Sequence, residues 1–384
     1  MQKITENKNN CFGTALGFVT GVLSVAFSMG ACSEVGCTVG IISALLVLLL
    51  SEPSLDFPIM PVYMGFSTVS CAALVAGSSA SGIAVFVAGL LLIISRPFSE
   101  KLKKYLSEPC IAGLMLSGAL TVTVMQTNTY FSIGAVGMNV RKMLIDYISR
   151  GFHANWRGVL YGTIVMVIMI TFPRKFKKAS LYVRPAFLAL IATLILNLFL
   201  NPKYMPTSIA EVGDFTAPAL PSVSDFHPVI TGILFGVALW LQLLYIRLND
   251  SKLSITVSGI FNILVAPLCG AFLPTKPVKH FKRTATAFLT GLAISAVLFV
   301  LLSKYTSRTP LPSCAVVLIV GAWQAVNWKK LKNAFSSVKS VIIFTAALLA
   351  PLLTDIATGT IIAVLVGSIP AIFKGSEERT NESA

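Results

Sequence analysis

Between Glu108 and Arg141 the chain carries no charged side chain, and the same holds between Asp225 and Arg247 and between Arg308 and Lys329. The hydrocarbon core of a bilayer is about 30 Å thick and takes roughly 20 apolar residues as a helix. Backbone N–H and C=O groups find no water there, so each such run must satisfy them within itself by becoming helical. Charged residues make up 12% of the sequence, about half the share in soluble domains, and the mean hydropathy is +0.82. These features predict an all-α integral membrane protein forming one membrane domain, with no part a soluble domain.

The apolar runs fall at 12–30, 35–51, 57–78, 80–95, 109–126, 134–149, 155–172, 183–200, 228–248, 254–271, 284–303, 311–326, 338–354 and 356–373. Arg141, Lys142 and Asp146 interrupt the run 134–149, which is therefore expected to lie at the membrane interface. The basic stretch 272–283 is counted instead as part of a broken tenth segment, giving about fourteen spans. The resulting divisions are a cytoplasmic tail 1–11, a first repeat 12–200, an extracytoplasmic connector 201–227, a second repeat 228–373 and a cytoplasmic tail 374–384. Residues 1–10 are polar, and the run from Phe12 outlasts the short core of a cleavable signal. Gly13, Gly17 and Gly21 share one face of that first helix, as close packing in lipid favours.

The net charge of +15 does not indicate nucleic acid. Its lysines and arginines sit in short clusters between apolar runs, as cytoplasmic loops do. With the N-terminus in the cytoplasm and alternating spans, only Arg141, Lys142, Arg150, Arg157, Lys203, Lys304 and Arg308 of the 30 Lys and Arg residues fall outside. Both termini are then cytoplasmic, and the size and compactness suit a bacterial inner membrane. Paired loop charges suit contacts with lipid headgroups. Cys11, Cys32, Cys37, Cys71, Cys110, Cys269 and Cys314 are odd in number and mostly in apolar stretches, which suits buried small side chains rather than disulfides or a metal.

Two places break the pattern of simple spans: SEPSLDFPIMPVYMGFSTVS, with Pro53, Pro58 and Pro61, and APLCGAFLPTKPVKHFKR, with Pro267, Pro274 and Pro277. Proline has no amide donor and does not continue a helix through itself. Each stretch predicts an extended strand leading into a half-helix, a backbone tolerated in a membrane only where it is buried in protein or lines a cavity. The two are third in each group of seven spans. Seven is odd, so the second group enters inverted, giving a 7+7 inverted repeat with a transporter-like site at the breaks. The simpler reading is a pair of proline-kinked helices.

Those segments resemble the membrane domain of the sulfate permease (SulP) family. Residues 106–126, LSEPCIAGLMLSGALTVTVMQ ending in Gln126, resemble the family's fifth segment. VGDFTAPALP at 212–221 is similar to the entry to its eighth. GIFNILVAPLCGAFLPT at 259–275 is similar to the family's G-x-A-N to G-G-F-P stretch. Arg283-Thr284 resembles the start of the eleventh segment, and Leu311-Pro312-Ser313-Cys314-Ala315-Val316-Val317 its L-P-x-A-V-L-A.

The resemblance implies a core bundle of segments one to four and eight to eleven, moving against a gate bundle. It implies that the third and tenth half-helices aim their N-termini at each other near mid-membrane. Unpaired N–H groups and the positive ends of the helix dipoles would there hold an anion. Pro61, Val62, Tyr63 and Met64 would come from the third segment and Thr275, Lys276 and Pro277 from the tenth. Phe27 and Ser28 of the first segment and Gln242 of the eighth would line the wall. Taken alone, Tyr63 and Phe27 read as helix packing, and Lys276 equally as a cytoplasmic basic residue.

This sequence departs from the family in places. Phe27-Ser28 replaces the usual proline and polar residue, the tenth segment is shortened, and Gln242 stands where a glutamate is common. Eleven polar residues follow Phe373, so a cytoplasmic STAS domain is not expected. Gln242 does not ionise, and Glu34 and Asp355 lie near segment ends. Facilitated diffusion or exchange is therefore favoured over proton or sodium coupling, which would call for an intramembrane carboxylate. His153, His227 and His280 lie apart in loops or interfaces, and no catalytic motif or cofactor signature is present. The expected protein is not an enzyme but a secondary transporter of a small anion: a sulfate-like oxyanion, bicarbonate or a dicarboxylate. Dimerisation is common in the family, so a homodimer is one expected partner arrangement. A nucleobase permease of the same fold is the nearest rival, followed by a channel or a non-transporting membrane scaffold.

Overall fold

The computed structural model describes residues 78–99, 102, 106–135, 137, 139–177, 179, 185–200, 227–246, 255–256, 259–260, 262–263, 293, 297, 309–354 and 358–369. The elements are α1 (Ser78–Ser95), α2 (Glu108–Phe131), α3 (Val140–Arg150), α4 (Trp156–Lys175), α5 (Pro185–Phe199), α6 (His227–Ile246), α7 (Leu311–Ala325), α8 (Trp328–Asn333), α9 (Val338–Leu353) and α10 (Thr358–Ile369). The expected spans at 12–30 and 35–51, the glycine face of the first, and both proline-rich breaks lie outside the described residues.

Helices α2 and α4 are each long and apolar enough to cross a bilayer. Pro109 sits in the first turn of α2, where a missing N–H leaves no carbonyl unbonded. The helix runs past Gln126 through Thr127–Phe131, with the hydroxyls of Thr123 and Thr127 satisfied within it. Thr123 Oγ1 donates to the Ala119 carbonyl at 2.8 Å, and Thr127 Oγ1 to that of Thr123 at 2.7 Å. Such back-bonding lets hydroxyls sit inside an apolar helix. The helix stops where Ser132 turns left-handed at φ 55°. Asn128 then holds the departing chain, donating to the Ala135 carbonyl and accepting from its N–H, each at 2.8 Å.

Helix α3 has 11 residues and spans about 16 Å, too short to cross. The Asn139 side chain caps it by accepting from Lys142 N–H at 2.9 Å. Val140 and Met143 are buried, whereas Leu144, Ile145 and Ile148 are exposed beside Arg141 and Lys142. The Tyr147 hydroxyl donates to the Val124 carbonyl at 2.7 Å. Burial pushes its pKa up to about 12, so it stays a neutral donor at ordinary pH. The charges that removed this run from the count of spans lie on a short amphipathic helix.

The described helices sort into two groups. In the first, α6 lies along α1. A Cβ at Gly232 would come within 2.7 Å of the Ala84 carbonyl oxygen, and one at Gly236 within 2.9 Å of Ala88 Cα. Only hydrogen on those glycines lets the backbones approach this closely. Gly89 on another side of α1 meets Gly259 in the same way. In the second group α2 is central, packed on α7 and α9, with α4 between α7 and α5. Ala119 and Val122 of α2 pack with Leu318 and Ala322 of α7 and with Val326 just beyond it.

Helix α10 joins the second group, its Ala363 carbonyl accepting from Cys110 Sγ at 3.3 Å. The groups meet in an apolar cluster where Leu241 and Val237 of α6 touch the set formed by Cys110, Ile111, Leu114, Ala347, Ala363 and Val364. Large apolar side chains such as Ile94, Val167, Phe199 and Ile342 stay on the outside. Lipid, and not water, is the surrounding these helices require.

The second group has two distinct ends. At one, Lys330 of α8 lies 3.5 Å from Glu108 at the start of α2. At the other, Asn155 N–H donates to the Phe131 carbonyl at 2.9 Å, and Gly158 packs against Ser132 and Pro312. Helices α3 and α8 therefore sit at opposite ends.

Candidate functional site

Of the residues expected to form the site, Gln242 is the one whose backbone is described; it lies in α6. Phe27, Ser28, Pro61, Val62, Tyr63, Met64, Thr275, Lys276 and Pro277 lie outside the described residues, so the structure brings none of them together and separates none.

What the structure does describe is how α6 is held. Gly232, Gly236 and Trp240 follow one another at four-residue intervals along the side facing α1. Trp240 Nε1 donates to Ser99 Oγ at 2.9 Å, and Ser99 Oγ donates to the Ser95 carbonyl at 3.1 Å. Ser99 is buried, so this relay ties α6 to the turn that ends α1. Val237 and Leu241 form a second stripe, directed to the α2 group. At about 100° per residue, the register of Gln242 belongs to neither stripe.

Apart from Gln126, which ends the stretch resembling the family's fifth segment, the polar side chains inside the α2 group carry no such sequence signal, and several bridge helices. Trp323 Nε1 of α7 donates to Thr123 Oγ1 of α2 at 2.9 Å. The Tyr161 hydroxyl of α4 donates to Asn197 Oδ1 of α5 at 2.7 Å. Ser117 and Thr121 are buried on α2, and their hydroxyls make no hydrogen bond among the described residues. Gln126 is buried near the end of the same helix. The usable sequence signal was a lone amide or hydroxyl within an apolar run, as at Asn197 in ATLILNLFL.

The arrangement of these helices matches solved membrane transporters. The transmembrane domain of a cyanobacterium bicarbonate transporter, BicA, superposes with a TM-score of 0.71 at 18% identity, covering 91% of this chain and 97% of that one. The chain has the fold of the SulP/SLC26 transporters. SLC26A9 superposes with a TM-score of 0.66 at 14% identity, over 96% of this chain and 66% of that one. In sequence, the putative sulfate transporter YvdB of Bacillus subtilis (strain 168) is 24% identical over 313 residues, covering 73% of this chain. The chain spans 58% of the length of that curated relative. No family model matches the sequence. The SulP/SLC26 fold makes this a multi-pass integral membrane protein, all-α in its described parts.

Proposed function

We propose that the chain is a secondary transporter that carries a small anion by alternating access. The observation that carries this reading is the separation of the described helices into an α1–α6 group and an α2 group, in a fold shared with known carriers over most of the chain. Two groups that, in their described parts, pack separately and meet through apolar side chains suit a rocking or sliding carrier. In this reading the α1–α6 group belongs to the core bundle and the α2 group to the gate. The chain then has fourteen spans in a 7+7 inverted repeat, with both termini in the cytoplasm of a bacterial cell.

The substrate is an inorganic oxyanion, bicarbonate or a dicarboxylate. The Bacillus subtilis relative is named for sulfate and the cyanobacterial structure for bicarbonate. The anion sits between the half-helices that begin near Pro61 and Pro277. Backbone N–H groups of Val62, Tyr63 and Met64 face it from one side, and Thr275 and Lys276 from the other. Phe27 and Ser28 form part of the wall. Gln242 donates its amide N–H without bringing a proton of its own, which favours exchange or facilitated diffusion over proton coupling.

Uptake of labelled sulfate, bicarbonate, dicarboxylates and uracil into proteoliposomes tests the reading, with Tyr63→Ala and Gln242→Ala alongside. Saturable anion uptake with counterflow, reduced at least tenfold by either substitution, is the expected result. Uracil uptake instead would move the chain to the nucleobase carriers. Uptake of none of these compounds by folded protein would remove the anion-carrier reading.

A further inference from the structure

The connection from α7 to α9 carries Lys329, Lys330, Lys332 and Lys339 and no acidic residue between Asn327 and Lys339. Its short helix α8 is docked from one side. Leu331 and Ala334 pack on Ala112, Leu116, Phe344 and Leu348. Lys330 is turned toward Glu108. The other side is open. Lys329, Lys332 and Lys339 are exposed and make no ion pair among the described residues. Interleaved with them are Trp328, Phe335 and Val338, exposed by 53%, 59% and 77%.

Neither bulk water nor acyl chains suits that mixture. Water would leave three large apolar side chains uncovered within one short stretch, and hydrocarbon would strand three ammonium groups. The boundary between headgroups and acyl chains accommodates both, and tryptophan concentrates there. Trp328 is also pre-set for that position, because its ring stacks on Trp323 at 6.0 Å with an interplanar angle of 11°.

We infer that this elbow binds the headgroups of anionic phospholipids, with Lys329, Lys332 and Lys339 on the phosphates and Trp328, Phe335 and Val338 against the first acyl carbons. A free anion does not fit as well, since the three lysines are all exposed and none is buried where the described residues could enclose a small ion. The lipid contact acts on the α2 group directly, because α8 is fastened to it by Leu331, Ala334 and Lys330. Lipid binding at this elbow is independent of what the protein transports.

The test uses the full chain in phosphatidylcholine nanodiscs, titrated with short-chain phosphatidylglycerol while the melting midpoint is followed. A saturable rise is expected with phosphatidylglycerol, and none with added phosphatidylcholine or inorganic phosphate. The Lys329→Gln/Lys332→Gln/Lys339→Gln variant is expected to lose apparent affinity by roughly fivefold per lysine, the worth of a basic side chain at an anionic surface. Arg141→Gln/Lys142→Gln, at the opposite end of the α2 group, is expected to change it little. An unchanged affinity in the triple variant, an equal loss in the α3 variant, or an equal rise with inorganic phosphate would overturn the inference. Should the triple variant not fold, the three single substitutions decide the matter, each showing the loss or lacking it.

Discussion

Thr123 and Trp323 lie 200 positions apart, yet one hydrogen bond of 2.9 Å joins their helices. In a bilayer such a bond contributes on average about 0.6 kcal/mol and at most about 1.7, because the separated helices also find partners. Trp323→Phe and Tyr161→Phe should each lower stability within that range, read from unfolding in mixed micelles. A loss well above about 2 kcal/mol would mean the side chains act chiefly through packing. These pairs were not legible in the sequence. A threonine in an apolar run can bond its own helix as readily as a neighbour's, and Thr123 does both. Gln242 was legible as an amide alone in GVALWLQLLY, but its role came from a family resemblance and not from spacing. Tyr63 and the other expected site residues rest on the same resemblance, since a broken helix shows in its prolines while the atoms it gathers do not.

Among the described elements, hydropathy located the helices well and their ends less well. The expected run 80–95 is α1, and 183–200 is α5. The end of α2 was missed because Thr127, Asn128 and Thr129 look like a loop, although Thr127 Oγ1 bonds the Thr123 carbonyl within the helix and Asn128 holds the turn beyond it at Ala135. Which helix lies beside which was not legible at all. The Gly232–Gly236 pair reads as a small-residue face, but nothing in it names α1 as partner. That pairing makes a strong prediction. Gly236→Ala places a methyl 2.9 Å from Ala88 Cα and should cost about 1–3 kcal/mol through overpacking. Gly236→Leu should abolish recovery of monodisperse protein. Ile94→Ala, on the lipid-facing side of α1, should stay within about 0.5 kcal/mol of the parent. Size-exclusion profiles and thermal melts of the three variants separate these outcomes.

For the whole molecule, the opposed ends of the α2 group give a test of orientation. Ser149 lies in α3 and Ser336 follows α8. In intact cells, Ser149→Cys should react with a membrane-impermeant thiol reagent added outside, and Ser336→Cys only after the membrane is opened. Mass spectrometry of the labelled peptides distinguishes them from native cysteines such as the buried Cys110 and Cys314. Reversal of the pattern would invert the topology drawn from the lysines and arginines.

Among the described residues, the hydrogen bonds seen to tie helix to helix stay within their own group, such as Trp240 to Ser99 in one, and Trp323 to Thr123, Tyr161 to Asn197 and Cys110 to Ala363 in the other. Where Leu241 and Val237 meet Leu114 and Ile111, the contact is hydrocarbon on hydrocarbon. Dispersion has little directional preference, so such a surface has no detent. One side can creep past the other in small increments, exchanging contacts of similar worth, without a bond that must snap before motion starts. Any stopping point along that travel has to be set elsewhere, and a single pair of amides planted across the surface would act as a brake.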